Sequence, residues 1–144
     1  FVASNTMEKA LGRLDGFVTP DLTIEEADVA DFDALVLVGG YGARVHLWDN
    51  PVAHQLVQQA MAAGKLIAAA STAPMVLVKA GILSGKKATV FPDYNATLAF
   101  KTNGVQLVHE DVVVDDNVIT TNHHKVVNAL IDKLIEKLAG EYVQ

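Results

Sequence analysis

Ser71 is the residue whose neighbours best suit it to act as a nucleophile. It follows the apolar run 65–70, and the residues two before and two after it are Ala69 and Ala73. A nucleophile elbow lifts one side chain above a sheet on a sharp strand-to-helix turn, where these two flanking positions must be small. The spacing therefore allows catalysis by Ser71. A Ser-Thr pair before a proline is also an ordinary helix cap, and this alternative stays open.

The glycine pair Gly39-Gly40 is a second candidate feature, because it ends the apolar run 34–38. A backbone without side chains can approach a ligand closely. The N–H groups of Gly40 and Thr72 are therefore predicted to donate to an anion that develops beside Ser71. A glycine pair can equally be a turn that ends a strand, and the glycine signatures of dinucleotide and phosphate loops do not follow.

Three larger side chains come soon after the glycines and are candidates for the wall of a small pocket: Tyr41, Arg44 and Trp48. Of these, Trp48 is more often a packing residue or a dimer contact.

A serine hydroxyl needs a positioned base before it becomes a good nucleophile. His123 and His124 follow a predicted strand whose end faces the same rim as Ser71. Adjacent residues in a turn point in different directions, so at most one of the two is expected to face inward. A solvated turn before the last helix is the other interpretation. The remaining three of the five histidines have no metal-ligand spacing, and no metal is predicted.

The totals exclude several function classes. The chain has 144 residues, enough for one domain with a real core, and 51% of them are hydrophobic. There is no cysteine, so disulfides, thiolate chemistry and cysteine metal sites are excluded. The net charge is −6 and the basic residues are scattered, which argues against nucleic acid. No apolar run is long enough to span a membrane, and an intracellular, cytoplasmic setting is expected.

Strand and helix patterns alternate along the chain. Strands are predicted at 34–38, 65–70, 86–90 and 105–108 and, around a turn at 115–117, within 111–121; helices are predicted at 50–64, 72–80, 93–100 and 126–138. Short, continuously apolar strands between helices predict an α/β fold with a mainly parallel sheet covered on both faces. Ligand sites in such sheets lie beyond the carboxyl ends of the strands, where both the glycine pair and Ser71 fall.

Four blocks carry a resemblance to a known family: "GFVTPDLTIEEAD", "DFDALVLVGGYG", "AGKLIAAASTAPMVLVKAGILSGKKATVFPD" and "EDVVVDDNVITTNHH". In order and spacing they resemble the ThiJ/PfpI family, a branch of the class I glutamine amidotransferase-like superfamily. The resemblance covers nearly all of residues 1–144, taken as one domain. It implies a flavodoxin-like three-layer sandwich, usually a homodimer. Members have been described as peptidases, glyoxalases or deglycases, hydratases and chaperones.

The resemblance also assigns roles to residues of this chain. The family's shared apparatus is a cysteine on the elbow, a carboxylate from an early helix and backbone donors from the glycine turn. Ser71 occupies the cysteine position, and Gly39 and Gly40 match the backbone donors. Thr72 stands where some members have an adjacent histidine, and Phe91 stands where others have a histidine at a strand end. Phe91 is counted among the candidate binding residues.

The family's first strand and helix, with its carboxylate, are expected to lie upstream of Phe1. Such a unit has roughly 30 residues. Its absence would leave N–H and C=O groups of neighbouring strands unpaired, at about 1–3 kcal/mol each if buried. A separate N-terminal segment, or a segment of a partner, is therefore predicted to complete the sheet.

Three functions remain open at this point. The first is a cofactor-free protein of this family, weak or inactive in thiol chemistry on small carbonyl or acyl substrates because Ser71 replaces cysteine. The second is an active serine hydrolase that uses Ser71 with His123 or His124. The third is a non-catalytic chaperone or stress-response interaction module. The expected partners are a small molecule or a peptide and a second copy of the chain. An engineered cysteine replacement would give the same sequence.

Overall fold

Ten strands and five α-helices follow one another along the described part of the chain. The computed structural model describes the backbone of residues 1–142 and the side chains of residues 1–140. The strands are β1 (Ala3–Ser4), β2 (Ala10–Leu11), β3 (Phe17–Val18), β4 (Leu22–Thr23), β5 (Ala34–Leu37), β6 (Leu66–Ala70), β7 (Lys87–Ala88), β8 (Gln106–Leu107), β9 (Val112–Asp115) and β10 (Val118–Thr121). The helices are α1 (Tyr41–His46), α2 (Pro51–Ala62), α3 (Pro74–Lys79), α4 (Tyr94–Thr102) and α5 (Val127–Tyr142).

A four-stranded sheet in the order β5-β6-β10-β9 forms the centre of the molecule. β5, β6 and β10 are parallel, and β9 runs antiparallel to β10. The register pairs Ala70 with Thr121, so these two strands end side by side just before Ser71. The predicted mainly parallel sheet is confirmed, and so is the turn at 115–117, because Asp115 pairs with Val118 across a two-residue loop.

Helices cover both faces of this sheet, which gives the predicted three layers. On one face α2, α3 and α4 pack against Leu37, Ile67, Ala69 and Val118 in the larger core cluster. The other face carries α5, whose Leu130 and Leu134 pack on side chains of β6 and β10. Successive side chains of a strand point to opposite faces of the sheet and therefore pack into two different cores. This explains why the strands are apolar on both sides. No helix in the described part of the chain is long and apolar enough to cross a bilayer.

The two long helices begin and pack as their sequences indicate, with one exception. Asn50 caps α2 by accepting hydrogen bonds from two backbone N–H groups, and Pro51 takes the first helical position. The apolar stripe predicted for α5 is only partly buried. Ile131 and Ile135 remain 38% and 58% exposed, whereas Leu130 and Leu134 of the same helix are buried.

The glycine turn and the strand at 86–90 depart from the sequence prediction. The turn leads directly into the short helix α1, which the sequence did not indicate because Gly42 and Val45 favour helix only weakly. The predicted strand 86–90 is reduced to the two residues of β7, paired with β8.

The N-terminal residues form two small pairs of strands beside the main sheet. β1 pairs with β4 in parallel, and β2 pairs with β3 as an antiparallel hairpin. Among the described residues no strand pairs with the second edge of β5, and Val36 and Val38 near that edge are 41% and 75% exposed. The main sheet therefore presents an open edge on the side of β5.

Candidate functional site

Ser71 sits in a strained turn between β6 and α3. Its φ is 59°, in the left-handed region that residues with a side chain seldom adopt. Its backbone is held on both sides, because its N–H donates to the Thr121 carbonyl at 2.9 Å and its carbonyl accepts from the Phe91 N–H at 2.7 Å. Such angles differ from the extended conformation of an ordinary N-cap residue. The geometry fits the sharp turn that the spacing predicts.

The hydroxyls of Ser71 and Thr72 do not cap α3. Ala73 stands at the N-cap position, with helical angles and no side-chain hydrogen bond. Ser71 is buried, with only 9% of its surface exposed. Its hydroxyl nevertheless makes no hydrogen bond to any residue in the described part of the chain. The hydroxyl therefore has no partner among the described residues, whereas the backbone of Ser71 is held by two hydrogen bonds.

The glycine pair lies directly against this turn. A Cβ atom built on Gly39 would overlap the Ala70 carbonyl oxygen and lie 3.1 Å from the Thr72 nitrogen. Gly40 has φ of 99°, which disfavours any other residue. Both glycines are therefore required by geometry, one by the close approach of two backbones and the other by its torsion angle.

One hydroxyl connects the glycine turn to the Ser71 turn. The Gly40 N–H donates to Thr72 Oγ1 at 2.9 Å, and the same hydroxyl donates to the Gly40 carbonyl at 3.0 Å. The predicted donor of Gly40 is consequently engaged within the protein. The N–H of Thr72 makes no hydrogen bond to a described residue, so of the two predicted donors it is the unengaged one.

The predicted pocket walls divide into a packed pair and an exposed residue. Trp48 is buried, and its indole N–H donates to the Thr72 carbonyl at 3.0 Å. The guanidinium of Arg44 lies 4.5 Å from the centre of the Trp48 ring. Tyr41 is 81% exposed. Trp48 is therefore a packing residue whose indole hydrogen-bonds to the residue after Ser71.

Asp93 is a member of this region that the sequence prediction missed. Its carboxylate accepts from Arg44 Nη2 at 2.6 Å and from the Ala96 N–H at 2.7 Å, so it pairs with the arginine and caps α4. An aspartate before a helical pattern signals a cap. The ion pair joins residues distant in sequence and has no local signal.

The two candidate bases, His123 and His124, form a row of ring contacts with Phe91. The rings of Phe91 and His123 are 5.9 Å apart, and those of His123 and His124 are 4.2 Å apart. His123 Nδ1 accepts a hydrogen bond from the Lys125 N–H and so caps the short 3₁₀ turn His124–Val126. Neither imidazole hydrogen-bonds to a described oxygen of Ser71, and the arrangement is that of a turn leading into α5.

Two buried oxygens near the end of β10 have no hydrogen-bond partner among the described residues: Thr121 Oγ1 and Asn122 Oδ1. Thr121 is directly linked to the Ser71 turn through its carbonyl. Buried oxygens without partners mark positions where an additional polar group would be stabilising. No local pattern in the sequence indicates them.

A separate groove of about 390 Å³ lies between α2 and the segment 24–28. Acidic residues of that segment form part of its rim, and no predicted site residue lines it. In the described part of the chain no group of three His, Asp or Glu residues could hold a metal ion.

Comparison with known proteins gives a consistent result. The model of the DJ-1/PfpI family matches residues 2–137. An uncharacterised protein of Methanocaldococcus jannaschii is 40% identical over 119 residues, which cover 83% of this chain and 58% of that protein. Deglycase PfpI of Pyrococcus furiosus is 32% identical over 124 residues, which cover 85% of this chain and 72% of the relative.

Solved structures agree with the sequence relatives. A ThiJ/PfpI domain protein from Brachyspira murdochii superposes with a TM-score of 0.90 at 25% identity, covering 96% of this chain and 78% of the other. Drosophila melanogaster DJ-1beta superposes with a TM-score of 0.80 at 32% identity, covering 93% and 71%. The matched residues make up less than two thirds of the Methanocaldococcus relative, so its remaining part has no counterpart in the alignment.

Proposed function

Because the chain belongs to the DJ-1/PfpI family, we propose that it binds a small carbonyl or acyl compound over Ser71, in the cytoplasm, and performs thiol-type chemistry weakly or not at all. The observation that carries the proposal is the left-handed Ser71 turn with an unengaged hydroxyl, packed against Gly39. The name deglycase, given to the Pyrococcus relative, supports a carbonyl compound as ligand.

The weakness of the chemistry follows from the nucleophile. A cysteine thiol ionises near neutral pH and its thiolate is the attacking species, whereas a serine hydroxyl stays protonated without a base. No described side chain hydrogen-bonds to the Ser71 hydroxyl, and His123 is engaged by Lys125. The structure thus supports ligand binding more strongly than an active serine hydrolase with His123 or His124.

The test is to measure methylglyoxal consumption by the wild type, Ser71→Cys and Ser84→Cys. Ser84 is an exposed turn residue, so its substitution introduces a thiol away from the site. We expect near-background turnover by the wild type and Ser84→Cys, and at least a tenfold increase for Ser71→Cys. Equal rates for the two cysteine variants, measured in a chain extended by the family's upstream strand and helix with their carboxylate, would contradict a site at Ser71. Labelling of the wild type by a fluorophosphonate probe would favour the hydrolase instead.

Association with a second copy is the other function that a specific observation favours. The β2–β3 hairpin exposes several apolar side chains: Leu11 81%, Leu14 90% and Phe17 63%. Exposed apolar groups of this kind mark interaction surfaces, as expected of a homodimer or a chaperone. We propose that this hairpin contributes to self-association. Sedimentation of the wild type and of Leu14→Ser would test it, with a smaller species expected for the variant.

The open edge of β5 is proposed as the place where a further strand joins the sheet, supplied by an N-terminal segment or by a partner. Unpaired edge strands accept such additions through backbone hydrogen bonds. Amide hydrogen exchange of β5 tests this. Exchange that is fast in the chain alone and slow after such a segment is added would support the proposal. Fast exchange in its presence would contradict it.

A further inference from the structure

The Thr72 hydroxyl holds a position that a ligand oxygen would need. Its oxygen lies 2.9 Å from the Gly40 nitrogen and 3.0 Å from the Gly40 carbonyl oxygen. The hydroxyl thus satisfies both polar backbone groups of one glycine. A carbonyl or carboxylate oxygen that approached the Gly40 N–H would meet Thr72 Oγ1 first.

The surroundings of this hydroxyl make it displaceable. Gly40 is exposed and Thr72 is only half-buried, so solvent and small solutes reach the pair. The Thr72 backbone is fixed independently, because its carbonyl accepts from the Trp48 indole at 3.0 Å. Rotation about the Cα–Cβ bond of Thr72 therefore removes the hydroxyl from Gly40 without moving the turn, and water can replace both hydrogen bonds.

We propose that the Thr72 hydroxyl blocks the Gly40 N–H and is displaced when an anionic or carbonyl oxygen binds there. We call this blocking role of the hydroxyl a stopper. The inference rests on the proposed function, since it concerns the same ligand site. It makes Thr72 a residue that sets affinity. The ligand must replace the hydrogen bond that the hydroxyl already makes, and only ligands with a strong acceptor oxygen do so effectively.

A structural clamp is the competing role, and it predicts the opposite result. If the hydroxyl mainly held the glycine turn in place, its removal would disorder the turn and weaken binding. If it is a stopper, its removal frees the Gly40 N–H and strengthens binding. Gly39 packs on the Ala70 backbone without help from the hydroxyl, so the turn retains a contact in either case.

The test is an acetate titration of the wild type and of the variants Thr72→Ala, Thr72→Ser and Thr102→Ala. Binding is monitored through the NMR signals of the Gly40 amide and the Trp48 indole. Thr102 is the matched control, because its hydroxyl donates to a helix carbonyl at 2.8 Å away from the site. We expect Thr72→Ala to bind acetate about tenfold more tightly, which corresponds to one hydrogen bond of ordinary net strength. Thr72→Ser and Thr102→Ala should match the wild type.

Equal or weaker acetate binding by Thr72→Ala would overturn the stopper, and so would the absence of binding by every variant. Neither result decides the proposed function, which is judged by methylglyoxal turnover in Ser71→Cys. Thermal unfolding of each variant shows whether Thr72→Ala remains folded, and the Gly40 amide of a folded variant reports directly on the freed N–H.

Discussion

Gly39 and Ala70 approach so closely that no side chain fits between their backbones. A Cβ atom at residue 39 would overlap the Ala70 carbonyl oxygen and lie 3.0 Å from Ser71 Cβ. The end of β5 and the end of β6 are therefore in direct backbone contact at the site. This contact brings the glycine turn within hydrogen-bond reach of Thr72.

Gly39→Ala should destabilise the protein by about 2 kcal/mol or more, because the added methyl group meets rigid backbone rather than a flexible side chain. Gly42→Ala is the matched control. Its Cβ would meet nothing within 4 Å, and it lies inside α1, where alanine is preferred to glycine by about 0.5–1 kcal/mol. Urea unfolding of both variants measures the contrast. Equal effects would show that the close approach is absent in solution.

At position 71 we expect glycine to be more stable than alanine. The φ of 59° costs a residue with a side chain about 1–2 kcal/mol and costs glycine little. Unfolding free energies of Ser71→Gly and Ser71→Ala test the order. Ala129→Gly, on the exposed side of α5, should show the usual loss of about 1 kcal/mol. If Ser71→Gly were the less stable variant, the strained turn would be contradicted.

The ion pair of Arg44 and Asp93 should contribute a small, salt-dependent coupling. Its 2.6 Å contact is partly exposed, with side-chain exposures of 41% and 21%, and pairs of this kind contribute about 0.2–1 kcal/mol. A double-mutant cycle with Arg44→Gln and Asp93→Asn measures it, since asparagine keeps a capping oxygen for α4. The coupling should fall at high salt. A coupling unchanged in 1 M salt would be inconsistent with this account.

Glu26 should make stability depend on pH. The backbone N–H and the hydroxyl of Thr23 donate to its carboxylate and lower the pKa of that carboxyl. A lowered folded-state pKa adds stability above the unfolded-state pKa, and this is lost as the pH falls through the folded-state value. Glu26→Gln should therefore destabilise at neutral pH and cease to do so in acid. Unfolding at both pH values tests this, with Glu25→Gln as control.

The sequence predicted what depends on neighbouring residues. The apolar runs predicted β5 and β6, and the Asn50-Pro51 pair predicted the start of α2. The acidic turn predicted the β9–β10 hairpin. Each of these follows from local propensity and periodicity. The family resemblance placed Ser71 on a strand-to-helix turn.

Contacts between distant residues could not be predicted. The hydroxyl of Thr72 meets Gly40, and Arg44 meets Asp93, only because the strands bring their ends together. The half-exposed stripe of α5 has the same cause, since periodicity shows that a helix has an apolar face and not whether another element covers it.

The hydrogen bond from the Ser71 N–H to the Thr121 carbonyl has a consequence for folding kinetics. Helix α2 and the β9–β10 hairpin form from neighbouring residues, whereas pairing of β6 with β10 closes a long loop and carries a larger entropic cost. A chain that has formed its helices but not this pairing has no Ser71 turn. Competence to bind a ligand should thus be acquired late in folding, and a bound ligand should slow unfolding.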